Sequence, residues 1–113
     1  MSQPSQAIEL EVTPTELAAE CRGDRPPLLL DCREPEEVAI NGLPGARHIP
    51  LGDIPTRQIE LDPDDDIVVY CHHGVRSLNV VVFLRQQGFT RVRSLRGGID
   101  AWSRQIDPNV PRY

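Results

Sequence analysis

Ile67-Val68-Val69-Tyr70-Cys71-His72-His73-Gly74-Val75-Arg76-Ser77 decides the fold. Four successive β-forming residues without a polar break read as a strand buried on both faces, as in parallel sheets. A short loop follows. Ser77 to about Gln87 then holds Leu78, Val80, Val81, Val82, Phe83 and Leu84 before Gly88. That segment is apolar almost all round, so a helix set deep against the sheet and ended by glycine is expected. Strand, loop and helix in this order form the unit of a parallel α/β sheet.

Working outward, the same alternation covers the chain. Ile8 to Val12 alternates apolar and acidic residues and reads as a short edge strand. Thr13-Pro14-Thr15-Glu16 carries a threonine cap, a proline in the first turn and a glutamate three residues after the cap, so a helix starts there, with Leu17, Ala18 and Cys21 on one side. Leu28-Leu29-Leu30 reads as a buried strand, and Glu34-Pro35-Glu36-Glu37 starts a short helix that Asn41-Gly42-Leu43-Pro44-Gly45 breaks. Ala46 to Ile49 is a further short strand, and Pro50 to Asp66 mostly loop with one helical turn. Arg91 to Leu95 forms a last strand, and Gly97-Gly98 leads into a final helix with Trp102 as a packing anchor. The expectation is a single α/β domain over residues 8–113, with a mainly parallel sheet of about five strands and helices on both faces, after a flexible N-terminus at residues 1–7. A length of 113 residues, 39% of them apolar, suits one core.

Charge is unevenly spread. Residues 1–66 hold fifteen acids and five arginines; residues 67–113 hold two acids and seven arginines, and lysine is absent. The net charge of −5 argues against a nucleic-acid binder, and the basic second half points to an anion site there. The longest apolar run, Val80 to Leu84, is too short to span a membrane. The first residues lack the basic and apolar regions of a signal peptide, so the expected compartment is a reducing cytoplasm where Cys21, Cys32 and Cys71 remain thiols.

Parallel α/β sheets bind ligands beyond the carboxyl ends of their strands, which is where Cys71 stands. The amides of residues 72 to 77 can converge on its sulfur, and the helix N-terminus adds about half a positive charge. Arg76 adds a full one. Such surroundings lower a thiol from about 8.5 to roughly 3.5–7.5, so Cys71 is expected as a thiolate in an anion-shaped pocket.

Val69 to Ser77 resembles the active-site loop of the rhodanese (thiosulfate sulfurtransferase) domain. Leu30-Asp31-Cys32-Arg33-Glu34 is similar to that family's D-V-R-E stretch, and Asn41 to Pro50 to its G-H-I-P-G-A segment followed by I-P. Leu95-Arg96-Gly97-Gly98-Ile99-Asp100-Ala101-Trp102 is similar to its closing L-x-G-G-x-x-x-W. The departures are Asn41-Gly42-Leu43 for Gly-His-Ile and Cys32 for valine. The resemblance implies a rhodanese-like fold and a sulfurtransferase that holds a persulfide on Cys71. His72, His73, Gly74, Val75 and Arg76 would form the persulfide cradle and anion contact, and Asp31, Arg33 and Ser77 would support it. A thiosulfate-like anion would donate sulfur, a thiol or cyanide would accept it, and a sulfur-relay protein is a further partner; no cofactor is implied. Four residues separate Cys71 from Arg76, one fewer than in the C-x5-R loop of related phosphatases, so phosphatase or arsenate reductase is the weaker reading. A sulfur-carrier or regulatory module acting only within a complex is the main alternative.

Other residues read more plainly. Adjacent histidines point apart in most backbones and no further ligand lies nearby, so His72 and His73 are not read as a metal site. Asp31 and Arg33 support neighbouring loops, with donor contact by Arg33 as the alternative. Cys32 packs as a small apolar residue, with a resolving thiol as the alternative. Asp62 to Asp66 is a solvated turn, and His48 a loop or strand-edge residue.

Overall fold

A computed structural model describes residues 9–113; the flexible segment expected at 1–7, and Ile8 of the first strand, lie outside the described residues. Within it, five strands form one all-parallel sheet: β1 (Glu11–Val12), β2 (Leu28–Asp31), β3 (Arg47–His48), β4 (Ile67–Tyr70) and β5 (Val92–Leu95), in the order β1-β5-β4-β2-β3. β1 is an edge strand, and β4 is buried along its whole length, as their sequences require. Leu28 and Leu29 are only half-buried, so β2 is enclosed on both faces only from Leu30 onward.

Alternation along the strands sends side chains to two cores. Leu30, Cys32, Val69 and Cys71 share one with Ile54 and with Val80, Val81 and Leu84 of helix α4 (Val75–Gln86). Val12, Val68, Tyr70 and Leu95 share the other with Leu17 of α1 (Pro14–Cys21) and Ile99 of α5 (Gly98–Gln105). Half-buried Cys21 and Trp102 pack against that second core. Helices therefore cover both faces. The capping box of α1 forms as read, with Glu16 N–H donating to Thr13 Oγ1 at 3.2 Å and Thr13 N–H to Glu16 Oε1 at 2.9 Å.

Three expectations need correction. Residues 51–60 are not mainly loop: a 3₁₀ turn (Leu51–Asp53), α3 (Ile54–Arg57) and a second 3₁₀ turn (Gln58–Glu60) follow one another. Ile54 and Leu61, both buried, anchor the ends of this run, and Pro55 suits a first turn. Helix α4 is two-sided rather than apolar all round. Its buried Ser77, Val80, Val81 and Leu84 recur at the spacing of one helical face, while Val75 and Val82 are 71% and 42% exposed. The basic second half is not an anion-collecting surface. Four of its seven arginines pair with acids of the first half: Arg93 with Glu20 (2.6 Å) and Asp66 (3.1 Å), Arg91 with Asp66 (3.8 Å), Arg96 with Glu11 (3.2 Å), and Arg76 with Glu37 (2.6 Å). The charge asymmetry along the chain is largely the record of pairs that join its two halves.

The strand order also fixes where a site can lie. From β2 the chain moves outward to β3, and from β4 it moves the other way to β5. The two connections part between β2 and β4, and the crevice at such a switch point is the natural ligand position in an open parallel sheet. Arg33 and the short helix α2 (Pro35–Val38) follow β2, and Cys71 follows β4.

Candidate active site

Cys71 is 1% exposed, at the floor of the loop between β4 and α4. Its sulfur accepts from Gly74 N–H at 3.1 Å and Ser77 N–H at 3.4 Å. Ser77 Oγ lies 3.4 Å from the sulfur and donates its proton when that sulfur is a thiolate. Ser94, buried on β5, is 2.7 Å from Ser77 Oγ and can supply the proton that leaves Ser77's own free to turn to sulfur. The amides of His72, His73, Val75 and Arg76 make no such bond, so the cradle is narrower than the full ring expected.

These contacts hold the Cys71 thiol well below its ordinary value, at about 4. The hydrogen bond from the Cys32 thiol contributes most; burial opposes it, and the Ser77 hydroxyl and the Ser77 and Gly74 amides add to the lowering. Cys32 is pushed the other way by that same bond and by burial, so it keeps its proton. Arg76 was expected to supply the charge. Instead its guanidinium grips Glu37 through two bonds of 2.6 and 2.9 Å, and Glu37 is held near 2 chiefly by that contact. Hydrogen bonding, not an unpaired cation, makes the thiolate.

The loop's backbone is held from below. Ile99 N–H donates to the carbonyl of Cys71 (2.9 Å) and Asp100 N–H to that of His72 (3.1 Å), so the first turn of α5 carries the nucleophile. That approach leaves no room for a side chain at Gly98, where a Cβ would stand 2.3 Å from His72 O. Gly74, at φ 101°, makes the reversal that aims its own N–H at the sulfur.

Asp31 and Arg33 do not face a donor. Arg33 is fully buried and binds Asp31 through both carboxylate oxygens, at 2.9 and 2.7 Å. It also donates to Asn41 Oδ1 (2.6 Å), Asn41 O (3.1 Å) and Tyr113 Oη (2.9 Å). Donor contact by Arg33 is thereby contradicted, since every face of the guanidinium is committed to holding the segment after β2. Tyr113 passes the arrangement on, donating to Glu37 Oε2 at 2.8 Å. Its ring stacks on His72 with centroids 3.8 Å apart and planes 8° from parallel. His72 and His73 do not point apart as expected: their rings lie 3.9 Å from each other. His73 remains exposed, 4.0 Å from Asp100. His48 on edge strand β3 bonds the carbonyl of Arg33 at 2.7 Å.

Glu37, Asn41, Ser94 and Tyr113 escaped the sequence reading. Ser94 carried little signal there, because Arg93 beside it already makes the strand partly polar. The other three are recruited from segments whose meeting with the loop depends on tertiary structure.

The chain is a parallel α/β domain with a buried cysteine at the switch point of its sheet. The similarity to known proteins narrows this. The rhodanese-like domain family matches residues 13–105, and the chain belongs to it. A sulfurtransferase of Allochromatium vinosum is 46% identical over 83 residues, 74% of this chain and 78% of its own. The putative sulfurtransferase YtwF of Bacillus subtilis is 40% identical over 98 residues, 87% and 94% of the two chains. The crystal structure of a rhodanese-like domain protein from Staphylococcus aureus superposes with a TM-score of 0.80 at 28% identity, over 93% of this chain and 99% of that one. No helix among the described residues is long and apolar enough to cross a membrane.

Proposed function

We propose that this protein is a sulfurtransferase that carries sulfane sulfur as a persulfide on Cys71. The observation that carries the reading is the sulfur of Cys71 held by Gly74 N–H, Ser77 N–H and Ser77 Oγ at 3.1 to 3.4 Å, at the switch point of the sheet. The thiolate attacks the outer sulfur of thiosulfate. The sulfur–sulfur bond of the donor breaks with its electron pair on the departing sulfite, and a Cys71–S–S⁻ persulfide remains. Cyanide or an acceptor thiol then attacks the outer sulfur, leaving as thiocyanate or a new persulfide, and Cys71 regains its thiolate. Two half-reactions of this kind give ping-pong kinetics.

The second reading is a sulfur-carrier or regulatory module that passes its persulfide sulfur only within a protein complex. The Arg76–Glu37 pair favours it, because the cation nearest the cradle is already neutralised and attracts a free dianion weakly. Incubation with thiosulfate, followed by intact mass and by cyanide-dependent thiocyanate release, separates the two. Gain of one sulfur on Cys71 with turnover supports the enzyme, and gain without turnover supports the carrier. No gain, for wild type as for Cys71→Ser, removes both; Cys71-dependent hydrolysis of an aryl phosphate would then assign the chain to phosphatase chemistry.

A further inference from the structure

Cys32 is a buried thiol beside Cys71 that forms no covalent bond in the proposed sulfur-transfer steps. Asp31 and Tyr70 are register partners in β2 and β4, and Cys32 N–H donates to Tyr70 O at 3.1 Å. The next residues, Cys32 and Cys71, therefore continue the pairing side by side. Both side chains enter the same core, with Leu30 and Val69 behind them. Neighbouring strands lie about 4.8 Å apart, inside the Cα separation of about 4.4–6.8 Å that a disulfide spans. Cys21, the third cysteine, belongs to the opposite core and cannot compete.

We propose that Cys32 is a resolving thiol: when a peroxide oxidises Cys71, Cys32 closes on it to form a Cys32–Cys71 disulfide that a dithiol reopens. In the first step the Cys71 thiolate attacks one peroxide oxygen. Hydrogen peroxide is reduced, the oxygen–oxygen bond breaks with hydroxide leaving, and Cys71 becomes a sulfenic acid. In the second, the Cys32 sulfur attacks the Cys71 sulfur, the sulfur–oxygen bond breaks, and the proton of Cys32 leaves with that oxygen as water. A reducing dithiol restores both thiols and is itself oxidised.

The arrangement times itself. While Cys71 is a thiolate, its charge and the shared proton hold Cys32 protonated and unreactive. Oxidation of Cys71 removes the charge that faces Cys32 and places an electrophilic sulfur beside it. Without it, sulfenic acid proceeds to sulfinic and sulfonic acids that dithiols do not reverse.

This inference rests on the thiolate of the proposed site but not on its sulfur chemistry, so its test avoids sulfur transfer as the readout. The protein is treated with a molar excess of hydrogen peroxide, quenched, and analysed by intact mass, non-reducing peptide mapping and iodoacetamide labelling of Cys71. Wild type should lose two hydrogen atoms, give a peptide linking Cys32 to Cys71, lose labelling, and recover it fully with dithiothreitol. Cys21→Ser should behave identically. Cys32→Ser and Cys32→Val should add two or three oxygens to Cys71, with no recovery. Oxygen adducts on wild-type Cys71 at the rate seen for Cys32→Ser, without the linked peptide, would overturn the proposal. A linked peptide in a protein that fails to take sulfur from thiosulfate would leave it standing while removing the sulfurtransferase reading.

Discussion

Gly98→Ala should damage the catalytic loop from a position whose side chain would never meet a substrate. A Cβ at residue 98 would stand 2.3 Å from His72 O, 2.5 Å from His72 C and 2.6 Å from Cys71 O, where ordinary contact begins at 3.4 Å. All three atoms are backbone, so no rotamer change relieves the overlap. About 1 Å of separation must come from lifting the loop or displacing α5, and either strains the bonds from Ile99 N–H and Asp100 N–H. Two weakened backbone bonds cost about 0.5–1.5 kcal/mol each. Placing alanine at φ +65° adds about 1–2 kcal/mol. A total of about 2–5 kcal/mol is expected in denaturant unfolding. Misplacement by about 1 Å at a reacting group lowers rates by roughly 10²-fold, so thiocyanate formation should fall by that order and iodoacetamide labelling of Cys71 should slow. Gly88→Ala is the control, because it carries a comparable φ of 98° with nothing within 4 Å. It should lose only the conformational increment and keep its activity. Equal behaviour of the two variants, both active, would refute the claim that close approach at Gly98 holds the nucleophile in place.

Ser77→Ala should raise the pH midpoint of Cys71 alkylation above its wild-type position near 4, because a donor to the thiolate is lost. A hydrogen bond to a charged group is worth about 1.5–3 kcal/mol, or about 1 to 2 pH units at about 1.36 kcal/mol each. Ser94→Ala should move the midpoint in the same direction by less, and an unchanged midpoint for Ser77→Ala would contradict the site's electrostatics. Glu37→Gln tests the Arg76 clamp by pH. The folded-state carboxyl is lowered from 4.5 to about 2, so its stabilisation is complete above the unfolded value and is lost as pH falls toward 2. The difference in urea midpoint between wild type and Glu37→Gln should therefore be constant above pH 5 and shrink between 4.5 and 2.

Much of this was legible in the chain. The run Ile67 to Tyr70 announces a central strand because burial on both faces leaves no place for polar residues. Thr13 and Glu16 announce a helix because their reciprocal bonds are local. Cys71 is legible for a related reason: strand, thiol and helix are contiguous, so the cradle is built mostly from neighbours in sequence. What stayed hidden is the origin of the thiolate. Arg76 follows Cys71 closely and seemed the obvious charge, but its partner Glu37 comes from another connection, and no local pattern pairs them. Cys32 reads as packing from sequence because its neighbour across the sheet is set by register. Residues 51–60 were obscured by glycine and prolines in short turns, whose apolar anchors Ile54 and Leu61 lie too far apart for a periodic stretch.

The all-parallel sheet has a consequence for how this site comes into being. Its pairings join distant parts of the chain: Leu30 meets Val69, and Glu11 meets Ser94. No hairpin is available to fold first, and contacts of such range slow folding because loop closure precedes any return from it. Ser94 and the α5 amides that hold the cradle are made after Cys71. A nascent chain that has already emerged past Cys71 therefore carries an ordinary thiol. Its reactivity is completed when β5 and α5 dock. A ribosome-bound fragment ending before Val92 would display Cys71 without its chemistry.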